Sequence, residues 1–141
     1  MKLKPLLISI AFLILSSNVY AGAVRPFEVE IDFVNKIADG DMASARFSDS
    51  NFAYIGCGIR KISLSPAETI SFGFCQANNG ESEDSGVLCT TQNPEILSAI
   101  DAVSDFSFVT FSWNDDNECT RIGNSTQSFY LPNFKLKKAK K

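Results

Sequence analysis

Phe27-Glu28-Val29-Glu30-Ile31-Asp32-Phe33 alternates apolar and acidic residues without a break. A period of two belongs to a half-buried strand, here with Phe27, Val29, Ile31 and Phe33 turned to a core. Asp39-Gly40 follows and has the composition of a two-residue hairpin turn. A turn at that point sets Phe47 opposite Asp32, on the solvent face; either a bulge shifts the parity or the first strand ends before the turn, and the bulge is preferred. Met42–Phe47 then reads as a strand and Ser48–Asn51 as a turn. Phe52–Ile62 reads as a further strand with Ile55, Cys57 and Ile59 on one face. Gly56 and Gly58 flank Cys57 and point to a neighbour packed closely there.

Ser65-Pro66 marks a turn, and Glu68–Ala77 is strand-like with Ile70, Phe72 and Phe74 on one side. The polar stretch Gln76–Gly86 reads as a mobile loop, and Val87–Thr91 as a short strand. Asn93-Pro94-Glu95 has the order of an N-cap, a first-turn proline and an acid suited to the helix dipole. Ile96, Leu97, Ile100 and Val103 then form one stripe, so an amphipathic helix runs from Asn93 to about Val103. Phe106–Trp113 is aromatic and β-branched, a central strand with both faces covered. Asn114–Asn117 is a turn, and Cys119–Ile122 and Gln127–Leu131 supply the last strands. The pattern predicts a mainly β fold: an antiparallel sandwich or partly closed barrel of six to eight strands, one short helix and two disulfides.

The first residues follow a different logic. Met1–Lys4 carries two lysines, Leu6–Leu15 is apolar or small throughout, and Val19-Tyr20-Ala21 places small residues one and three positions before a cut. This is the layout of a signal peptide over 1–21. A spanning helix needs about 20 apolar residues, roughly twice that run, so no transmembrane segment is expected in the mature chain. The expected location is secreted or periplasmic. Residues 22–134 then read as one β-rich domain, with twelve Phe in the whole chain as bulky core material. At this size a hydrophobic core suffices without staples.

Charge sharpens the picture. Five lysines fall in 135–141, a basic tail expected to be disordered. Residues 22–134 hold only Arg25, Lys36, Arg46, Arg60, Lys61 and Arg121 against all 16 acids. An acidic body of this kind lacks the broad basic face that nucleic-acid binding requires, so no nucleic-acid partner is expected.

Cys57, Cys75, Cys89 and Cys119 are an even set, read as two disulfides in an oxidising compartment. The preferred pairing is Cys75–Cys89, across a hairpin tip, with Cys57–Cys119. A Cys57–Cys75 bridge across an earlier hairpin is the alternative. Without histidine and without a Cys-x-x-Cys unit, neither a metal centre nor a cofactor is expected.

The same lack of histidine removes the commonest general base and the Ser-His-Asp and Cys-His systems, so no catalytic residue is assigned. Hydrolysis would need paired carboxylates. The acids Glu81, Glu83 and Asp84, and Asp115, Asp116 and Glu118, are the candidates for that, or for an acidic binding patch. The aromatic groups Phe106/Phe108/Phe111/Trp113 and Phe129/Tyr130/Phe134 are read mainly as core.

Tyr54-Ile55-Gly56-Cys57, Cys75-Gln76-Ala77, Cys89, Phe111-Ser112-Trp113-Asn114-Asp115 and Cys119-Thr120, between Ala53 and Pro132, resemble a pattern in small secreted bacterial proteins of unknown function. That resemblance implies bacterial export and a four-cysteine framework, and no activity. The leading expectation is a non-catalytic, disulfide-stabilised binding module for a cationic protein, such as an inhibitor target, or for an envelope component. A carboxylate-dependent hydrolase and a structural surface component are the alternatives.

Overall fold

A computed structural model of the chain describes residues 23–132. The leader at 1–21, the basic tail at 135–141 and Phe134 lie outside the described residues. The strands in chain order are β1 (Glu30–Asp32), β2 (Ile37–Asp41), β3 (Tyr54–Ser65), β4 (Glu68–Asn78), β5 (Gly86–Thr91), β6 (Phe108–Trp113) and β7 (Cys119–Ser125). Helix α1 (Met42–Arg46) follows β2 and α2 (Pro94–Asp101) follows β5. The fold is mainly β, with one antiparallel sheet in the order β1-β2-β6-β7 and a second in the order β3-β4-β5. No closed barrel forms among the described residues.

One core lies between the sheets. Ala38, Val109, Phe111 and Trp113 come from the first, with Ile55, Cys75, Ala77 and Cys89 from the second. Helix α2 begins as read: Pro94 opens it and the Asn93 side chain accepts from Glu95 N at 2.9 Å. Its Ile100 side chain rests on Gly73, where an added Cβ would sit 2.6 Å from Ile100 Cδ1. The close packing expected around Cys57 is found at Gly58, whose face is covered by the Phe74 ring from the paired strand.

Several elements differ from the sequence reading, each for a local reason. Asp39-Gly40 lies inside β2, and the hairpin turns at 33–36 instead. Asp32 Oδ1 accepts from Val34 N and Asn35 N, both at 2.9 Å, which folds the chain before Asp39-Gly40 is reached. Ile31 then faces Ala38 in register, so the parity conflict disappears without a bulge. Gly40 serves close approach: a Cβ there would sit 2.9 Å from Val29 Cα. Met42–Arg46 is helical because Asp41 caps it, accepting from Ser44 N at 2.7 Å. Phe27 and Phe33 flank the short β1 and remain exposed. Strand β6 is central, but only its Val109, Phe111 and Trp113 face is fully buried. Residues 128–130 form a 3₁₀ turn rather than a strand.

The disulfides are Cys57–Cys75 and Cys89–Cys119, which corrects the preferred pairing. Strands β4 and β5 do form the expected hairpin, with Cys75 directly opposite Cys89. Cys75 is also directly opposite Cys57 on β3. A residue in a central antiparallel strand is close-paired with one neighbour only, the one to which it makes no backbone hydrogen bonds. The Cα separation of 4.0 Å shows that this neighbour is Cys57. Cys89 instead bonds Cys119 at the start of β7, with Cα atoms 5.1 Å apart.

The second bridge joins the two sheets, whereas the first lies within a hairpin already held by its ladder. Chain-entropy reasoning assigns about 3 kcal/mol to the 18-residue interval and about 4 kcal/mol to the 30-residue one. Replacing Cys89 and Cys119 by Ser should therefore lower Tm by more than replacing Cys57 and Cys75. Thermal unfolding of the two double variants checks this, and the reverse order would contradict it.

Candidate functional site

The segment before β1 is tied down at two points. Arg25 N donates to Phe129 O at 3.0 Å, and Phe27 N donates to Asp41 Oδ2 at 2.6 Å. Asp41 returns its own N–H to Phe27 O at 2.9 Å. Its carboxylate also accepts from Ser44 Oγ at 2.5 Å, so this 1 % exposed acid is fully engaged in structure. Between this segment, α1 and the 3₁₀ turn runs a groove of about 480 Å³.

Val24, Phe47, Tyr130 and Leu131 give the groove an apolar wall, while Glu28 and Asp49 bring carboxylates to it. Among the described residues no lysine or arginine lines it. Its aromatic side is fixed by rings. Phe27 meets Phe108 edge-on at 5.1 Å, Phe108 stacks on Tyr130 at 5.7 Å, and Tyr130 meets Phe129 at 4.5 Å. The core assignment holds for Phe111 and Trp113, but Phe129 and Tyr130 are only half-buried and border the groove. A cleft of this volume with apolar walls and a few charged groups has the form of a ligand site.

The acids singled out in the sequence stand elsewhere. Glu81, Glu83 and Asp84 are exposed in the loop 79–85. That loop is organised by the buried Asn78, whose Nδ2 donates to Ser82 O at 2.9 Å and Glu83 O at 3.2 Å. Asp115, Asp116 and Glu118 belong to the β6–β7 turn, folded by Asn114 Oδ1 accepting from Asp116 N at 3.0 Å and Glu118 N at 2.9 Å. Asp115 is ion-paired with Lys36, whose hydrogen bond and charge hold its carboxyl below the usual range. Glu118 accepts from Asn114 Nδ2 at 2.9 Å. Among the described residues no hydrogen bond or ion pair joins the two acidic groups. Asp116 borders a hollow of about 520 Å³ beside Phe33 and Trp113, and Glu118 another of about 420 Å³ beside Asn93 and Ile96. Each hollow contains one carboxylate, so neither supplies a catalytic pair.

The sulfurs of Cys75, Cys89 and Cys119 lie within 4.8 Å of one another, but all three are bonded in the two bridges. Both disulfides fit an oxidising compartment. No helix among the described residues is long and apolar enough to cross a membrane.

The sequence reading missed Glu28, Phe47 and Asp49 as groove residues, because Glu28 is taken for the solvent face of a strand and Asp49 for a turn. The one available signal was Phe47, an apolar residue the predicted register could not bury. Also missed is a pair of acids in direct cross-strand register, Glu30 and Asp39. Burial pushes the Asp39 carboxyl up, the Glu30 charge adds to this, and Arg121 opposes it.

Comparison of the chain with protein-family models, curated proteins and solved structures finds no match.

Two stability predictions follow from these carboxylates. The folded state holds the Asp39 proton more tightly than the unfolded chain, so stability falls as pH rises from the ordinary aspartate range through the raised value and stays lower above it. Asp39→Asn should raise Tm at neutral pH, and the gain should fade as pH drops into the ordinary aspartate range. A gain that grows on acidification would contradict this. Asp41→Ala orphans Phe27 N and uncaps α1, at a cost of about 1–3 kcal/mol by denaturant unfolding.

Proposed function

We propose that the chain is a small exported binding module without catalytic function, and that its groove takes a basic, partly apolar segment of a protein partner. One observation carries this reading: Glu28 and Asp49 border a groove with an apolar wall, and among the described residues no lysine or arginine lines it. A lysine or arginine beside an apolar side chain would find both an opposite charge and a surface to cover. The leader-like residues 1–21 and the two bridges support an export compartment. The hollows beside Asp116 and Glu118 hold one carboxylate each, so the acids of 115–118 supply no catalytic pair there.

The test is titration of the oxidised protein with a short peptide of alternating lysine and leucine. Glu28→Gln with Asp49→Asn should weaken binding by about five- to ten-fold and flatten its salt dependence. Asp116→Asn with Glu118→Gln should leave affinity unchanged. Equal losses in both variants would reduce the effect to overall charge and remove the groove from the reading.

A further inference from the structure

Beyond the Cys57–Cys75 bridge, β3 and β4 continue as a two-stranded arm, exposed on both faces from Arg60 to Ile70. On one face Ile62 stands opposite Ile70 in register. Ile62, Leu64 and Ile70 are 44 %, 57 % and 39 % exposed. Arg60, on that same face, extends over the Phe74 ring at 4.8 Å.

The arm also differs from the body in charge. Strands β3 and β4 hold Arg60 and Lys61 against the single acid Glu68. The other described residues carry fifteen acids against Arg25, Lys36, Arg46 and Arg121. An apolar arm with basic residues and an apolar groove with acidic ones thus occur on the same molecule. They cannot meet within it. Ala53 borders the groove, and β3 runs twelve residues away from it, about 40 Å at ~3.3 Å per residue.

From this complementarity we infer that the arm of one copy seats in the groove of another, so that the chain associates head to tail. Ile62, Leu64 and Ile70 cover Val24, Phe47 and Leu131, and Arg60, on the same face, lies beside Glu28 and Asp49, while Lys61 on the opposite face adds to the positive charge of the arm. This rests on the proposed role of the groove and names its occupant as a second copy. Because two different surfaces meet, the contact builds rings or open chains of copies rather than a closed two-fold dimer.

Sedimentation of the oxidised mature protein over a concentration series tests it. The average mass should rise with concentration, and less so at high salt. Arg60→Glu with Lys61→Glu, and separately Glu28→Lys with Asp49→Lys, should each weaken association about ten-fold or more. An equimolar mixture of the two variants should restore it, since the reversed arm then fits the reversed groove. Ile62→Ser with Leu64→Ser, checked for native Tm, should also weaken it. A native protein that stays monomeric to millimolar concentration, or variants that associate like the native chain, or a mixture that stays apart, would each overturn the inference. If the native chain stays monomeric while the lysine–leucine peptide still binds, the groove reading survives and only its self-association falls. If the chain associates but Glu28→Lys with Asp49→Lys has no effect, the groove is not the receiving surface.

Discussion

The Cys89–Cys119 bridge is the joint on which the two-sheet arrangement depends. It ties β5 to the start of β7 at the place where the sheets come edge to edge. Only a narrow backbone link accompanies it: Thr90 N donates to Asn117 O at 3.0 Å, and Thr90 bridges Glu118 in parallel. The buried core explains why a covalent joint matters here. Among the described residues Phe111 is the only buried phenylalanine, and the rest of the core is mostly Ala, Cys, Val and Ile. Small side chains bury little apolar area each, so hydrophobic stabilisation is modest. The sequence suggested a core rich enough to need no staples, but most of its phenylalanines lie elsewhere.

That relocation shows which parts of the fold can be read from sequence. Strong local signals transferred directly: the Asn93-Pro94-Glu95 helix start, the β3–β4 hairpin and the central position of the aromatic strand ending at Trp113, though only one of its faces is fully buried. Failures occurred where a residue type serves two purposes. Asp39-Gly40 has turn composition, but Gly40 is there because Val29 crosses against it, and that contact is invisible in the sequence. Asp32 and Asp41 carried equally local signals, an Asx turn and a helix cap, and these were outweighed by the more familiar Asp-Gly pair. The disulfide error is of another kind. The β4–β5 hairpin expected around the polar stretch after Cys75 does form, but which cross-strand position is close-paired depends on hydrogen-bond phase, which composition does not encode.

The candidate site was least legible because its parts come from three separate stretches. Val24 and Glu28, Phe47 and Asp49, and Tyr130 and Leu131 are brought together by the hydrogen bonds of Asp41 and Arg25 N. The acids that did stand out, in 81–84 and 115–118, were conspicuous because they cluster in sequence. In space their backbones shape turns and most of their carboxylates stay exposed, with Glu118 accepting from Asn114 and Asp115 paired with Lys36.

Core, groove and arm are consequences of one distribution. A two-layer fold whose inner faces are largely Ala, Cys and Val leaves little room between its sheets, and larger side chains are displaced to the margins. Phe27, Phe108, Phe129 and Tyr130 stack beside the groove, Phe47 lies open within it, and Ile62, Leu64 and Ile70 project from the arm. Scattered exposed apolar residues need no explanation, but grouped ones mark contact surfaces. The acidic body opposes indiscriminate association of these groups through like-charge repulsion. Among the described residues the arm, carrying two bases against one acid, is the long element exempt from that repulsion. Charge thus selects which of the apolar surfaces can meet, and it favours arm to groove over groove to groove.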